Sequence, residues 1–190
     1  MTQEQVYKLV SSTPNFELRI YSPCVLAEIE IDAEFESAAS NAFRHLFNYI
    51  NGGNQSERKI AMTAPVLQID EGELLNTETD PAKSTQASDR HLVSFVMPAQ
   101  MTYENTPQPR DSRVRIRALP EQLVATRKFS GRWTHQKYLS ELRTLRTGLH
   151  ENGLVEIDKP RFARFDAPWT PWFLRRNEIQ IPVQEIGERT

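Results

Sequence analysis

The chain of 190 residues and 22.0 kDa is long enough for one sizeable hydrophobic core, and we expect a single domain over 1–190. Its 23 basic and 25 acidic residues leave a net charge of −2, which argues against nucleic-acid binding because phosphate recognition needs a basic excess. The single cysteine, Cys24, rules out an internal disulfide, and the lack of a long apolar run or a basic leader predicts a cytoplasmic protein with no membrane-spanning segment.

The first third of the chain predicts two strands followed by a helix. Residues 16–21 and 25–31 alternate apolar and polar side chains, as half-buried strands do. The pattern then changes to three- and four-residue steps, which predicts a helix over 33–50 with Asp32 as its N-cap. The apolar face of this helix consists of Phe35, Ala38, Ala39, Ala42, Phe43, Leu46, Phe47 and Ile50.

The middle of the chain predicts two strands separated by a long loop. Residues 59–69 have strand character, but Pro65 interrupts them and predicts an edge or a bulge at that point. The tract at about 70–90 is rich in Glu, Thr, Ser and Asp, so we expect a mobile loop that buries little apolar surface. Residues 91–97 form the returning strand.

The remaining residues repeat this order of elements. The predicted elements are strands at 114–119 and 122–129, a helix marked by Tyr138, Leu142, Leu145 and Leu149, and strands at 162–165 and 178–183. We therefore expect pseudo-repeats at about 15–98 and 113–183. The prediction is an α+β fold of duplicated β-α-β units, forming a distorted antiparallel β-barrel or curved sheet flanked by two helices. A cleft between such halves would suit a small ligand.

Two segments carry side chains suited to a flat ligand. Around Met62, small alanines and a thioether would leave a low sheet surface, although methionine also commonly fills a core. Between 166 and 179 the chain has two tryptophans, Trp169 and Trp172, followed by Arg175 and Arg176, which could pair with carboxylates. The alternative is a rigid loop whose tryptophans close the open end of the sheet.

Single residues offer weaker candidates. Glu178, if it faces inward, could attract a cationic ligand or act as an acid or base, but a glutamate next to Arg176 is more often simply paired with it. His45 falls at the border of the apolar helix face and could ligate a haem iron, or be a partly exposed surface group, while Arg44 points to the solvated side. The sequence contains no strong catalytic signature.

Several motifs, in order along the chain, resemble the SOUL/haem-binding protein family. They lie at 16–23, 47–54, 59–66, 95–98, 129–131 and 163–179, and include Met62-Thr63-Ala64-Pro65-Val66 and Arg175-Arg176-Asn177-Glu178. The resemblance covers about 15–183. It implies the duplicated fold described above and the non-covalent binding of haem or another tetrapyrrole, for buffering or transport, by a monomer or weak dimer.

The resemblance also implies a shallow hydrophobic groove beside the first helix. By position, the groove would involve Phe43, Phe47, Met62, Trp169 and Trp172. The family position of a proposed axial histidine is occupied here by Ile20, and the positions of two basic side chains on the first helix correspond to Ser40 and Asn48. Arg44, His45, Arg175 and Arg176 are then the remaining candidates for contacts with the propionates or the iron.

A second resemblance keeps an alternative open. The duplicated fold is similar to that of gyrase-inhibitor-like effector-binding domains, some of which hold cationic organic ligands around a glutamate on the last strand, and some of which are hydrolases. Glu178 stands at that position here. This resemblance implies, as the alternative function, an effector-binding domain or a hydrolase acting on a small molecule.

Overall fold

A computed structural model describes residues 2–72, 89–167 and 169–185. The loop predicted at about 70–90 falls for the most part on residues 73–88, which lie outside the described residues. Within the described ranges, no helix combines the length and apolar character needed to cross a bilayer.

Two helices and twelve strands make up the described structure, with one short 3-10 helix at Trp172–Leu174. The helices are α1 (Phe35–Ile50) and α2 (His135–Glu151). The strands are β1 (Gln3–Glu4), β2 (Tyr7–Ser12), β3 (Glu17–Tyr21), β4 (Cys24–Asp32), β5 (Thr63–Ala64), β6 (Val66–Asp70), β7 (Arg90–Val96), β8 (Arg115–Leu119), β9 (Gln122–Ser130), β10 (Leu154–Glu156), β11 (Arg161–Arg164) and β12 (Arg176–Glu185). The order of two strands, a helix and three strands occurs twice, from β3 to β7 and from β8 to β12.

The strands form one large antiparallel sheet in the order β2-β3-β9-β12-β11-β6-β7-β4-β8, with β10 also paired to β12. Short β1 and β5 form a separate parallel pair. Pro65 separates β5 from β6, as the sequence predicted for this interruption. The predicted α+β fold, a curved antiparallel sheet with two helices, is confirmed.

The predicted N-cap of α1 is wrong, whereas α2 has a side-chain N-cap at Thr134. Asp32 remains in the ladder of β4, opposite Arg90, and α1 begins two residues later than predicted, after Glu34, which makes no side-chain capping bond. Strand pairing therefore takes the residue that could have capped the helix. In α2, the Thr134 hydroxyl accepts the Lys137 backbone N–H at 3.2 Å.

Both helices pack on one face of the sheet, which we call the helix face; the opposite face is the inner face. Antiparallel partners point to the same side of a sheet, so their register defines rows of side chains across it. One such row on the helix face runs through Ala27, Phe95, Val66, Arg164 and Asn177. It begins in the core cluster beneath α1 and continues toward the cluster beneath α2.

His91 lies in the core where the two helices begin. Its side chain is buried, its Nδ1 atom has no hydrogen-bond partner, and its ring centroid lies 5.9 Å from that of Phe35. Burial lowers the pKa of His91 below its ordinary value of 6.5, and nearby Asp70 and Asp89 oppose this only in part.

The unfolded chain therefore binds more protons than the folded chain as the pH falls below about 6.5. We expect the free energy of unfolding to decrease as the pH falls from 7 to 5. His91→Gln should make this decrease shallower, whereas His150→Gln, at an exposed position, should leave it unchanged. Chemical denaturation at a series of pH values measures the slope, and equal slopes for wild type and His91→Gln would contradict the assignment.

Candidate functional site

Two exposed phenylalanines on α1 form an apolar surface beside the sheet. Phe43 and Phe47 are one helical turn apart, so their rings stack with centroids 5.4 Å apart and an interplanar angle of 14°. They remain 38% and 44% exposed, although Phe43 also packs edge-on against Phe95 in the sheet. This exposed aromatic pair is the clearest surface for a flat apolar ligand.

Glu36 shows which side of α1 faces α2. It lies seven residues before Phe43 and therefore on the same side of the helix. Its carboxylate accepts the His135 backbone N–H at 2.8 Å, at the start of α2. The side of α1 that carries Glu36, Phe43 and Phe47 thus faces the start of α2 at its N-terminal end. We call this side the groove flank.

The opposite border of the buried helix face carries His45. Residues two positions apart on a helix do not face each other, so His45 points away from Phe43 and Phe47. Its Nδ1 lies 3.2 Å from a carboxylate oxygen of Asp111 and 3.1 Å from Nη2 of Arg113. The structure therefore separates His45 from the aromatic pair. Within the described ranges, no group of three His, Cys, Asp or Glu side chains is placed to hold a metal ion.

Met62 lies in the segment that runs from the end of α1 to β6. Ile60 donates its backbone N–H to the Ile50 carbonyl at 2.7 Å, and Val66 pairs with Phe95 across the sheet. The half-buried Met62 side chain packs against the core cluster beneath α1. It thus serves as core filler on its buried side.

The loop between β11 and β12 presents the predicted tryptophans to solvent. Trp169 is 85% exposed, and Trp172 is 51% exposed and packs edge-on against Phe173. The exposed guanidinium of Arg132 lies 5.7 Å from the Trp172 ring centroid. The tryptophans do not close the end of the sheet, so the alternative predicted from the sequence is wrong for these residues.

The two adjacent arginines at the start of β12 point to different faces. Arg175 lies on the helix side, with its guanidinium 4.1 Å from the Trp133 ring centroid. Arg176 lies on the inner side, where it pairs with Glu4 at 2.7 Å and covers the Phe165 ring. Arg44 is exposed on the solvated side of α1, as its position in the helix predicted. These candidate residues therefore do not converge on a single ligand-binding point.

Sequence reasoning missed the buried Arg164 and its neighbour Trp133. Nη2 of Arg164 donates to Gln68 at 2.8 Å, and its guanidinium carbon lies 5.0 Å from the Trp133 ring centroid and 4.9 Å from that of Phe162. Its Nε atom is buried without a hydrogen-bond partner. Burial lowers the pKa of Arg164 to about 10. The local sequence around Arg164 resembles an ordinary strand, and only the register shows that this cation lies beneath the helices.

The inner face is dominated by a buried ion pair between Arg19 and Glu178. Nη1 and Nη2 of Arg19 donate to the two carboxylate oxygens at 3.1 and 3.3 Å, and Gln180 donates to the same carboxylate at 3.1 Å. The Tyr7 ring lies 4.2 Å from the guanidinium carbon of Arg19 and covers it. The neighbour expected for Glu178 was Arg176. The structure instead pairs Glu178 with Arg19, and leaves a lined cavity of only about 40 Å³.

Comparisons with known proteins agree with this architecture. A family model described as SOUL heme-binding protein matches residues 2–182. Heme-binding protein 2 of Homo sapiens is 28% identical over 169 residues, which cover 88% of this chain and 77% of that protein. The EcmrR C-terminal domain matches with a TM-score of 0.64 at 14% identity, covering 95% of this chain and 99% of that chain. A hydrolase from Listeria innocua matches at 0.59 and 11% identity, covering 92% and 94%. The two structural matches show the fold alone.

Replacing Glu178 tests the ion pair on the inner face. Glu178→Gln removes one of the two acidic partners of the buried Arg19 and leaves Glu17, so we expect the free energy of unfolding to fall by about 2–3 kcal/mol. Glu4→Gln removes the half-exposed pair with Arg176 and should cost at most about 1 kcal/mol. Urea denaturation of both variants measures the difference. A Glu178→Gln variant as stable as wild type would show that the pair is dispensable.

Proposed function

Because the chain belongs to the SOUL heme-binding protein family, we propose that it binds haem or another tetrapyrrole non-covalently, for buffering or transport. The resemblance seen in the sequence motifs is confirmed by the family match. The observation that carries the proposal is the stacked, exposed pair of Phe43 and Phe47 on the groove flank. We further propose that the protein is a cytoplasmic monomer or weak dimer. We propose no nucleic-acid partner, because a net charge of −2 lacks the basic excess that phosphate recognition needs.

Apolar burial supplies most of the affinity in this account. The two stacked phenylalanine rings leave apolar surface exposed on α1, and covering apolar surface stabilises a complex by about 25 cal/mol per Å². Trp169 and Trp172 add two further exposed aromatic rings on the loop before β12. When bound, haem would supply a redox-active iron and two carboxylates.

The inner face is the less favourable location for such a ligand. The cavity lined by Arg19 and Glu178 measures about 40 Å³, and a second cavity between the N-terminal segment and Cys24 measures about 270 Å³. Both are below the roughly 300–1,000 Å³ typical of small-molecule sites. Arg19 also provides Glu178 with a positive partner from the chain itself, so Glu178 does not require a cationic ligand. These observations disfavour the inner face, and the groove flank is proposed on its exposed aromatic pair.

Removing the aromatic pair tests the proposal. We expect the double variant Phe43→Ala/Phe47→Ala to bind haem about tenfold to a hundredfold more weakly, because it loses the stacking surface. His45→Ala is the matched control on the same helix. Since His45 points to the opposite border and pairs with Asp111, its removal should leave both the affinity and the Soret band unchanged.

Titration of the purified protein with haem, followed at the Soret band, measures both quantities. A wild-type protein that shows no saturable spectral change at micromolar concentration would contradict haem binding. A His45→Ala variant with an altered Soret band would contradict the location on the groove flank.

A further inference from the structure

We propose that Arg164 anchors a carboxylate of the bound ligand, so that the site selects tetrapyrroles with free propionate groups over their esters. The inference rests on the proposed tetrapyrrole binding and adds to it the chemical group that the ligand must carry. Arg164 was not among the candidates drawn from the sequence, and its burial and surroundings in the structure single it out.

Arg164 differs from the other two buried arginines in lacking an acidic partner. Arg19, Arg161 and Arg164 are 1%, 4% and 5% exposed. Arg19 pairs with Glu178 at 3.1 Å, and Arg161 pairs with Asp158 at 3.4 Å. Among the described residues, no carboxylate lies within ion-pair distance of Arg164. Glu36 is the acidic group that raises the pKa of Arg164, and its carboxylate lies beyond ion-pair distance.

The hydrogen bonds of Arg164 leave its buried charge without a counter-ion. The hydrogen-bonding partners of Arg164 are neutral: the Gln68 side chain and the Phe35 carbonyl. The buried Nε atom has no partner at all. Burying a charge without a counter-ion destabilises the folded state, so this guanidinium gains more than a paired one from an incoming carboxylate.

The position of Arg164 matches the groove flank of α1. The row on the helix face places Arg164 next to Val66, which in turn lies next to Phe95 beneath Phe43. The contact with the Phe35 carbonyl puts Arg164 at the start of α1, on the side where Glu36 meets α2. A ligand lying on Phe43 and Phe47 can therefore extend a carboxylate along the same flank toward Arg164.

The surroundings strengthen a charged contact at this point. The Trp133 and Phe162 rings lie about the Arg164 guanidinium and exclude water, and ion pairs are stronger in such an environment. Arg175 lies over the same Trp133 ring at 4.1 Å and adds a second positive charge toward the loop. The Glu36 carboxylate balances part of the charge of Arg164 from beyond ion-pair distance, and a free propionate is the group by which a tetrapyrrole would balance the rest.

A comparison of haem with its dimethyl ester tests the inference. The two compounds share the macrocycle and the iron, and differ in their carboxylates. We expect wild type to bind haem at least about tenfold more tightly than the ester, since hydrogen bonds to charged groups contribute that much. Arg164→Met keeps the side-chain volume, and Arg164→Gln keeps a hydrogen-bond donor. In each variant, the affinity for haem divided by that for the ester should fall to about one. Arg161→Met, on the same strand but the inner face, should retain the preference for haem.

The outcomes separate the inference from the proposed function. If wild type binds neither compound, the proposed function fails and the anchor fails with it. If wild type binds both equally, or if a folded Arg164→Met or Arg164→Gln variant keeps the preference for haem, tetrapyrrole binding stands and the anchor is overturned. Thermal unfolding of each variant establishes that it is folded, and one folded variant of the two is sufficient.

Discussion

The buried ion pair between Arg19 and Glu178 makes the inner face of the sheet less favourable for a charged ligand than the helix face. It reaches across β9 to join β3 to β12, and it neutralises the acidic residue at the centre of the inner face. Tyr7 and the Glu4–Arg176 pair then bring the N-terminal segment over the same surface. Because residues of the chain itself pair the charges of Arg19, Glu178 and Arg176, these groups on the inner face do not require a charged ligand.

The helix face has the opposite character. There α1 leaves two aromatic rings exposed on one flank, and β11 places a cation beneath the helices without an acidic partner. The adjacent Arg175 and Arg176 also point to opposite sides, over the Trp133 ring and the Phe165 ring respectively. Unmatched apolar surface and unmatched charge thus occur on the same side of the molecule, and this coincidence supports a ligand that is both flat and anionic.

Local patterns were sufficient to predict most of the fold, but few of the site contacts. The end of α1, the interruption at Pro65 and the antiparallel strands follow from periodicity and proline chemistry over short stretches. The partner of Glu178 is 159 residues away along the chain, and the unpaired state of Arg164 depends on which strands lie beside β11. Such facts depend on strand order and register, which a single sequence does not determine. The error at Asp32 has the same origin, because ladder pairing with β7 competes with capping.

A crystal structure of the protein with haem bound is the most direct test of this account. The predicted result is a macrocycle against Phe43 and Phe47, with one propionate within hydrogen-bond distance of Arg164 and the Arg19–Glu178 pair unchanged. A macrocycle on the inner face beside Tyr7, with that ion pair broken, would contradict it.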